Sequence, residues 1–370
     1  MQYVWDDRGN KYLDLHTGHG AAFLGHRNPY VIEEIRKQLD KIVVTPLAYD
    51  SDTRDQCLEM LDKILPKNLR NVFFQNSGTE AVELALKIAK KVTRRRKIIA
   101  FKNSFHGRTL GALMVTWNPK YRKPFFAESE DVVFLRFNCV FDVERFVDEG
   151  VAAVVVEVVQ GEGGLNVATP EFLKAIREKC GEVGCVTIFD EVQTGFGRTG
   201  KTWAHQHYNI EPDIMTAGKA IAGGFPISIV ATKDWLVSKL ETGEHGTTHG
   251  GNPLACAALI GGIKAFLKEN VAEIVSKNSK ILRDKLEKIS EEHKLVRSVK
   301  GLGYMVGLEL RIPPTNILKK LQEKGVLALK AGLTVLRLLP PYMITREDME
   351  KLEVVIENAI EEEEASRGIR

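Results

Sequence analysis

The chain has 370 residues, 44% hydrophobic and 27% charged, the balance of a soluble globular protein with length for two or three domains. Lysine and arginine number 52 against 49 aspartates and glutamates, and a net charge of +3 argues against a dedicated nucleic-acid binder. The strongest apolar run, Val151 to Val156, stops at Glu157, far short of the ~18 residues of a membrane span.

The N-terminus lacks a signal-type apolar core, and five scattered cysteines without a CxxC read as buried or inert thiols in a reducing cytoplasm. Val4-Trp5 and Tyr12-Leu13 flank turn chemistry at residues 6–10 and predict a hairpin. Apolar residues at helical spacing predict a helix over 29–42, with Val31, Ile35, Leu39 and Ile42 on one face. A second helix is expected through Cys57, Leu61 and Ile64, ending at Pro66. Strand and helix patterns then alternate: strands at Asn71–Gln75, Lys97–Phe101, Val132–Leu135, 152–159 and 185–190, with a long helix over 79–92. Runs such as Val154-Val155-Val156 are apolar on both faces, as in parallel strands sandwiched between helices. The expectation is an α/β doubly wound sheet with sites at the carboxyl ends of its strands. After about Pro253 come a helix over 254–267, Lys- and Glu-rich helices over 271–295, strands over 301–311 and helices over 316–324 and 346–364. This pattern suggests a smaller α+β unit. The chain is therefore divided into residues 1–40, which pack with the small domain, a large domain at 41–265 and a small domain at 266–370.

The run from Gly195 to Thr202 matches both GxxxxGK[ST] and GxGxxG. Either loop should follow its strand directly, whereas residues 190–194 intervene, so a glycine-rich structural turn is favoured over a P-loop. Ser77-Gly78-Thr79-Glu80 opens the helix after Asn71–Gln75. It reads either as a capping box or as an anion site, with the backbone N–H groups of Gly78 and Thr79 at the positive end of the helix. Asp190 ends an apolar strand, which is costly unless a cation or a proton donor meets it. Lys219 stands among small residues in Thr216-Ala-Gly-Lys219-Ala, leaving room for a bulky adduct. Together the phosphate cradle, the acid and the amine match the needs of pyridoxal phosphate, though each alone has a structural explanation.

These residues lie in motifs that resemble the class III pyridoxal-phosphate-dependent aminotransferases. The motifs are Leu24-Gly-His26, Asn76-Ser-Gly-Thr-Glu-Ala81, Phe105-His-Gly-Arg-Thr109, Gln160-Gly-Glu-Gly-Gly164, Asp190-Glu-Val-Gln-Thr-Gly-Phe-Gly-Arg-Thr-Gly200, Ala217-Gly-Lys219, Gly246-Thr-Thr-His-Gly-Gly-Asn-Pro253 and Arg337-Leu-Leu-Pro340. The branch most resembled is the one acting on acetylornithine or on lysine linked to an amino-group carrier protein. The resemblance implies fold type I, with a large domain holding a mainly parallel central sheet and a small α+β C-terminal domain. It implies pyridoxal 5'-phosphate and no metal. Lys219 would be the reactive amine and later acid and base, and Asp190 the partner of the pyridine nitrogen. Ser77, Gly78 and Thr79 would take the phosphate, joined by Thr247 and Thr248 from the second subunit of a homodimer. Phe105 and Val192 would pack the two ring faces, with Gln193 at the ring oxygen and Glu157 orienting. Arg108 and Arg337 would bind carboxylates, and Glu162 would pair with Arg337 when an ω-amino donor is present. The reaction implied passes the terminal amine of an Nα-blocked lysine or ornithine to 2-oxoglutarate, giving glutamate. Free ornithine or 4-aminobutyrate as donor, a mutase or racemase outcome, and the P-loop reading are the alternatives.

The sequence departs from the family's usual residues at Val158 and His249, the latter a spacer or a neighbour of the phosphate, and it begins later than the family's usual start. The cations between residues 87 and 97, with no acid among them, read as a solvated helix end or as a dock for a small acidic carrier protein.

Overall fold

The computed structural model describes residues 1–369. Strands β1 (Tyr3–Trp5) and β2 (Lys11–Asp14) form the expected hairpin. The central sheet uses β3 (Asn71–Gln75), β4 (Lys97–Phe101), β5 (Val132–Leu135), β6 (Val151–Val156), β7 (Val186–Asp190), β8 (Ile214–Ala217) and β9 (Ser228–Thr232). Their order is β3-β9-β8-β7-β6-β4-β5, and β9 alone runs antiparallel to its neighbours. All six residues of β6 are buried, so both sheet faces are covered, as its unbroken apolar run required. The chain thus has a mixed α/β fold with a large, mainly parallel central sheet flanked by helices.

Strands β8 and β9 escaped the sequence reading. Ile214-Met-Thr-Ala217 and Ser228-Ile-Val-Ala-Thr232 are short runs that their sheet neighbours, rather than any periodicity, hold extended. The helix expected over 29–42 stops at Leu39, leaving Ile42 half exposed.

Beyond the central sheet lies an antiparallel sheet of β10 (Val296–Leu302), β11 (Met305–Leu310), β13 (Leu329–Ala331) and β14 (Val335–Leu338), in the order β10-β11-β14-β13. The intervening β12 (Val326–Leu327) pairs with β2 of the N-terminal hairpin. The helix Pro253–Lys268 links the two regions, and the junction expected at 265/266 lies inside it. Asn252 caps it by accepting the Ala255 N–H at 2.9 Å. Two of its glycines allow close packing: a Cβ on Gly262 would stand 2.0 Å from the Ile221 carbonyl, and one on Gly261 2.6 Å from the Val31 Cα. The first contact seats the turn Lys219–Ala222 directly against this helix. Among the described residues no helix is long and apolar enough to cross a membrane.

Candidate active site

Five parallel strands deliver side chains to one place. The segments leaving the carboxyl ends of β3, β4, β6, β7 and β8 carry Gly78, Phe105, Glu157, Asp190 and Lys219, and all five line one cavity of about 280 Å³. Thr79, Arg108, Glu162, Val192 and Gln193 complete much of its wall. This is the position that a parallel α/β sheet favours for ligands. The volume lies near the lower end of the ~300–1,000 Å³ common for small-molecule pockets.

Register places Asp190 beside Thr216 on the adjacent strand. The Asp190 carboxylate accepts the Thr216 hydroxyl at 3.0 Å and the Val192 N–H at 3.1 Å, and it meets His106 Nδ1 at 2.8 Å. Burial pushes the His106 imidazole down, but its bond to Asp190 and the charges of Asp190 and Glu157 outweigh this and hold it above its ordinary value. Burial pushes Glu157 up to about 7, with the nearby His106 opposing. Glu157 accepts the N–H of Phe105 at 3.0 Å and of Gly161 at 3.3 Å, fixing both loops. The sequence reading missed His106 and Thr216. The first sits inside a quoted motif, and the second is visible only through strand register.

Lys219 follows β8 in the left-handed region, at φ 45°. Burial pushes its ammonium down to about 8, against the upward pull of Glu162. A buried amine with this lowered value can give up its proton near neutral pH, which suits a proton-transfer group.

At the opposite wall Gly78 opens the helix Gly78–Thr93, and Glu80 Oε2 accepts the Ser77 N–H at 2.9 Å. Ser77 caps the helix, its carbonyl held by the Ser228 hydroxyl at 2.6 Å. A Cβ on Gly78 would meet Val192 at 2.6 Å, and one on Gly107 would meet the Thr79 hydroxyl at 2.2 Å. Backbone therefore reaches the cavity surface at a positive helix end, a cradle for an anion. That cradle, the acid at Asp190, the buried amine and the flanking Phe105 and Val192 fit pyridoxal phosphate in size and chemistry.

The outer wall is built differently. Arg337 comes from β14 of the second sheet and is 1% exposed. It donates to Glu162 Oε1 at 2.8 Å, to the Gly161 carbonyl at 2.8 Å and to Gln193 Oε1 at 3.2 Å. Burial would raise the Glu162 carboxyl, but the charges of Arg337 and Lys219 prevail and hold it below its ordinary value. Arg108 is exposed and lies over the Tyr121 ring, 4.8 Å from its centroid. Phe105, Arg108, Glu162 and Arg337 also border a wider vestibule of about 810 Å³.

Thr247 and Thr248 do not reach this cavity within one chain. Thr247 lines a separate, largely apolar groove of about 560 Å³ with Leu47, Leu58 and Phe74, and Thr248 is exposed. The run from Gly195 to Thr202 opens no α-helix after its glycines, and a short 3₁₀ turn, Ala204–His207, follows instead. Phe196 stacks 4.7 Å from Phe266, and buried Arg198 donates to the carbonyls of Gly20 and Pro340, so the loop is structural and the P-loop reading falls. The cations at 87–97 are largely engaged. Lys91 pairs with Glu244, Arg96 with Asp131 at 3.0 Å and Lys97 with Asp148 at 2.8 Å, while Arg95 donates to the Val151 and Val183 carbonyls.

Comparison with known proteins agrees with this geometry. The aminotransferase class-III family matches residues 2–360. A protein of Sulfolobus acidocaldarius named LysW-aminoadipate semialdehyde/glutamate semialdehyde transaminase is 52% identical over 97% of this chain and 92% of its own length. An acetylornithine aminotransferase of Caldanaerobacter subterraneus subsp. tengcongensis is 40% identical over 97% of this chain and 92% of its length. Among solved structures, an ornithine aminotransferase of Toxoplasma gondii, described with partial occupancy of PLP, superposes with a TM-score of 0.93 at 31% identity, covering 98% of this chain and 89% of that one. The chain belongs to the class-III aminotransferases.

Proposed function

We propose that this class-III aminotransferase moves the terminal amino group of an Nα-blocked lysine or ornithine, acetylated or linked to a small acidic carrier protein, to 2-oxoglutarate. The products are a semialdehyde and glutamate, and the setting is lysine or arginine biosynthesis in the cytoplasm. The observation that carries the reading is the Arg337–Glu162 pair on the wall of the Lys219 cavity. A cation with a detachable acid can grip the second carboxylate of a dicarboxylate, or stay neutralised while an uncharged chain carrying an amine occupies the same space. Two of the relatives described above are named for LysW-linked and acetylated substrates.

Pyridoxal phosphate, when bound, supplies an aldehyde for the amino group and an electron-withdrawing ring. The chain supplies the rest. Backbone N–H groups at Gly78 and Thr79 hold the phosphate. Asp190, fixed by Thr216 and His106, would hold a proton on the ring nitrogen through a charge-assisted bond. Phe105 and Val192, which line the cavity, would pack against the ring, and Gln193 would bind its oxygen. Lys219 Nζ would hold the aldehyde of the group and, once released, would be placed to accept and return a proton. Glu157 holds the Phe105 and Gly161 backbones in place. Arg108 takes the α-carboxylate of the substrate. In a homodimer, Thr247 and Thr248 of a second copy complete the phosphate cradle. Exposed Ile42, Val43, Val44 and Leu47, the last lining the groove beside Thr247, give that copy an apolar face to cover.

The test is a donor panel with purified protein, measuring glutamate formed from 2-oxoglutarate. Nα-acetyl-lysine, acetylornithine and carrier-linked lysine should outpace free ornithine and 4-aminobutyrate. The protein should carry a visible absorption band that borohydride bleaches and that Lys219→Ala lacks. Free ornithine or 4-aminobutyrate as the best donor would replace the donor reading, and a colourless protein would end the cofactor reading.

A further inference from the structure

The vestibule outside the Lys219 cavity holds about 810 Å³, far more than a five-carbon dicarboxylate fills. Glu162 is the one carboxylate among the residues lining it, and Arg337 already neutralises that acid. Besides Arg108, which lies over the Tyr121 ring, two lysines line it, Lys319 and Lys330. Both are exposed, and neither makes an ion pair or hydrogen bond with a described residue. Their neighbours behave differently: Lys320 and Lys324, next to Lys319 along the chain, pair with Glu362. In the cluster at 87–97, which does not line the vestibule, Lys91, Arg96 and Lys97 are paired as well. The two rim lysines therefore stand unneutralised at the mouth.

The same vestibule is lined by an apolar contact point. Leu333 is 86% exposed and follows Gly332, whose N–H donates to the Glu162 carbonyl at 2.8 Å. A partner touching Leu333 thus rests on a loop tied directly to the substrate-binding acid. A large exposed leucine flanked by cations suits a small interface with an apolar centre and a charged rim.

From this arrangement we infer that the rim formed by Lys319, Lys330 and Leu333 is the docking surface for an acidic carrier protein that presents its attached amino acid through the vestibule to Lys219. The inference rests on the carrier-linked donor proposed above. A donor whose α-amine is held by a protein must thread in by its terminal amine while the protein stays outside, and the mouth is where that protein comes to rest. Acidic side chains on the carrier would complement the two lysines and raise its encounter rate.

The experiment compares wild-type holoenzyme with Lys319→Glu/Lys330→Glu and with Arg96→Glu. Two donors are used: Nα-acetyl-lysine, and lysine linked through its α-amine to LysW. Reversing both rim charges should lower kcat/KM for the carrier-linked donor by about tenfold, and rising salt should shrink that loss. The small donor should keep its kcat/KM within about twofold, which also shows that the variant folds. Arg96→Glu should change neither. Equal losses for both donors, or an unchanged carrier-linked rate, would overturn the surface. A wild type that uses acetyl-lysine but not LysW-linked lysine would overturn the donor reading and the surface with it. In the other two failures the wild type still accepts the carrier, so the two kinds of failure are separable.

Discussion

The cavity has two walls of different construction. The inner wall of Asp190, His106, Glu157 and Lys219 grows from the ends of adjacent parallel strands, is buried, and is held by short hydrogen bonds within one sheet. The outer wall joins Glu162, from the loop after β6, to Arg337 from a second sheet, and it faces an open vestibule. Tied within one sheet on one side and joined across two sheets on the other, the cavity separates chemistry common to both half-reactions from recognition that must alternate between two substrates.

If that division holds, replacements on the inner wall should damage both half-reactions, and those on the outer wall should split them. Asp190→Asn should carry the largest effect, lowering the rate with donor and with acceptor alike by about 10²-fold or more, read in single-turnover measurements of each half. A loss confined to one half would break the comparison. Arg337→Lys should raise KM for 2-oxoglutarate by about tenfold and leave kcat with the donor nearly unchanged, because an ammonium cannot reproduce the guanidinium fork. A matching rise for the donor would make the outer wall no more selective than the inner.

A third effect concerns stability. Folded Glu157 is raised to about 7 from an ordinary 4.5, so the folded state binds the extra proton between these values. Its contribution is present below pH 4.5, fades as pH rises, and is gone above 7. Glu157→Gln in the cofactor-free protein should therefore gain up to about 3 kcal/mol relative to wild type between pH 5 and pH 8. A denaturation midpoint difference that does not change with pH would show that burial of this acid carries no such cost.

Much of the inner wall could be read in sequence because its parts are local. An apolar run ending in Asp190, a helix start at Ser77-Gly78 and a lysine among small residues are each set by their immediate neighbours along the chain. His106 and Thr216 were not legible as partners of Asp190, since nothing in the linear order says that β7 and β8 stand side by side or that the loop after β4 reaches Asp190. The cations at 87–97 showed the opposite limit. They look like one basic patch in the chain, yet Glu244, Asp131 and Asp148, all distant in sequence, neutralise three of them.

By itself the sequence determined the alternation of strand and helix, the family and the identity of the reactive groups, because periodicity, capping and motif spacing act over short stretches of chain. Tertiary structure alone decided that Arg337 closes on Glu162, that Thr247 stands apart from the cavity within one chain, and that free positive charge survives at Lys319 and Lys330. These depend on which surfaces meet and which charges find partners across hundreds of residues. Packing and electrostatics settle that only once the whole chain is folded.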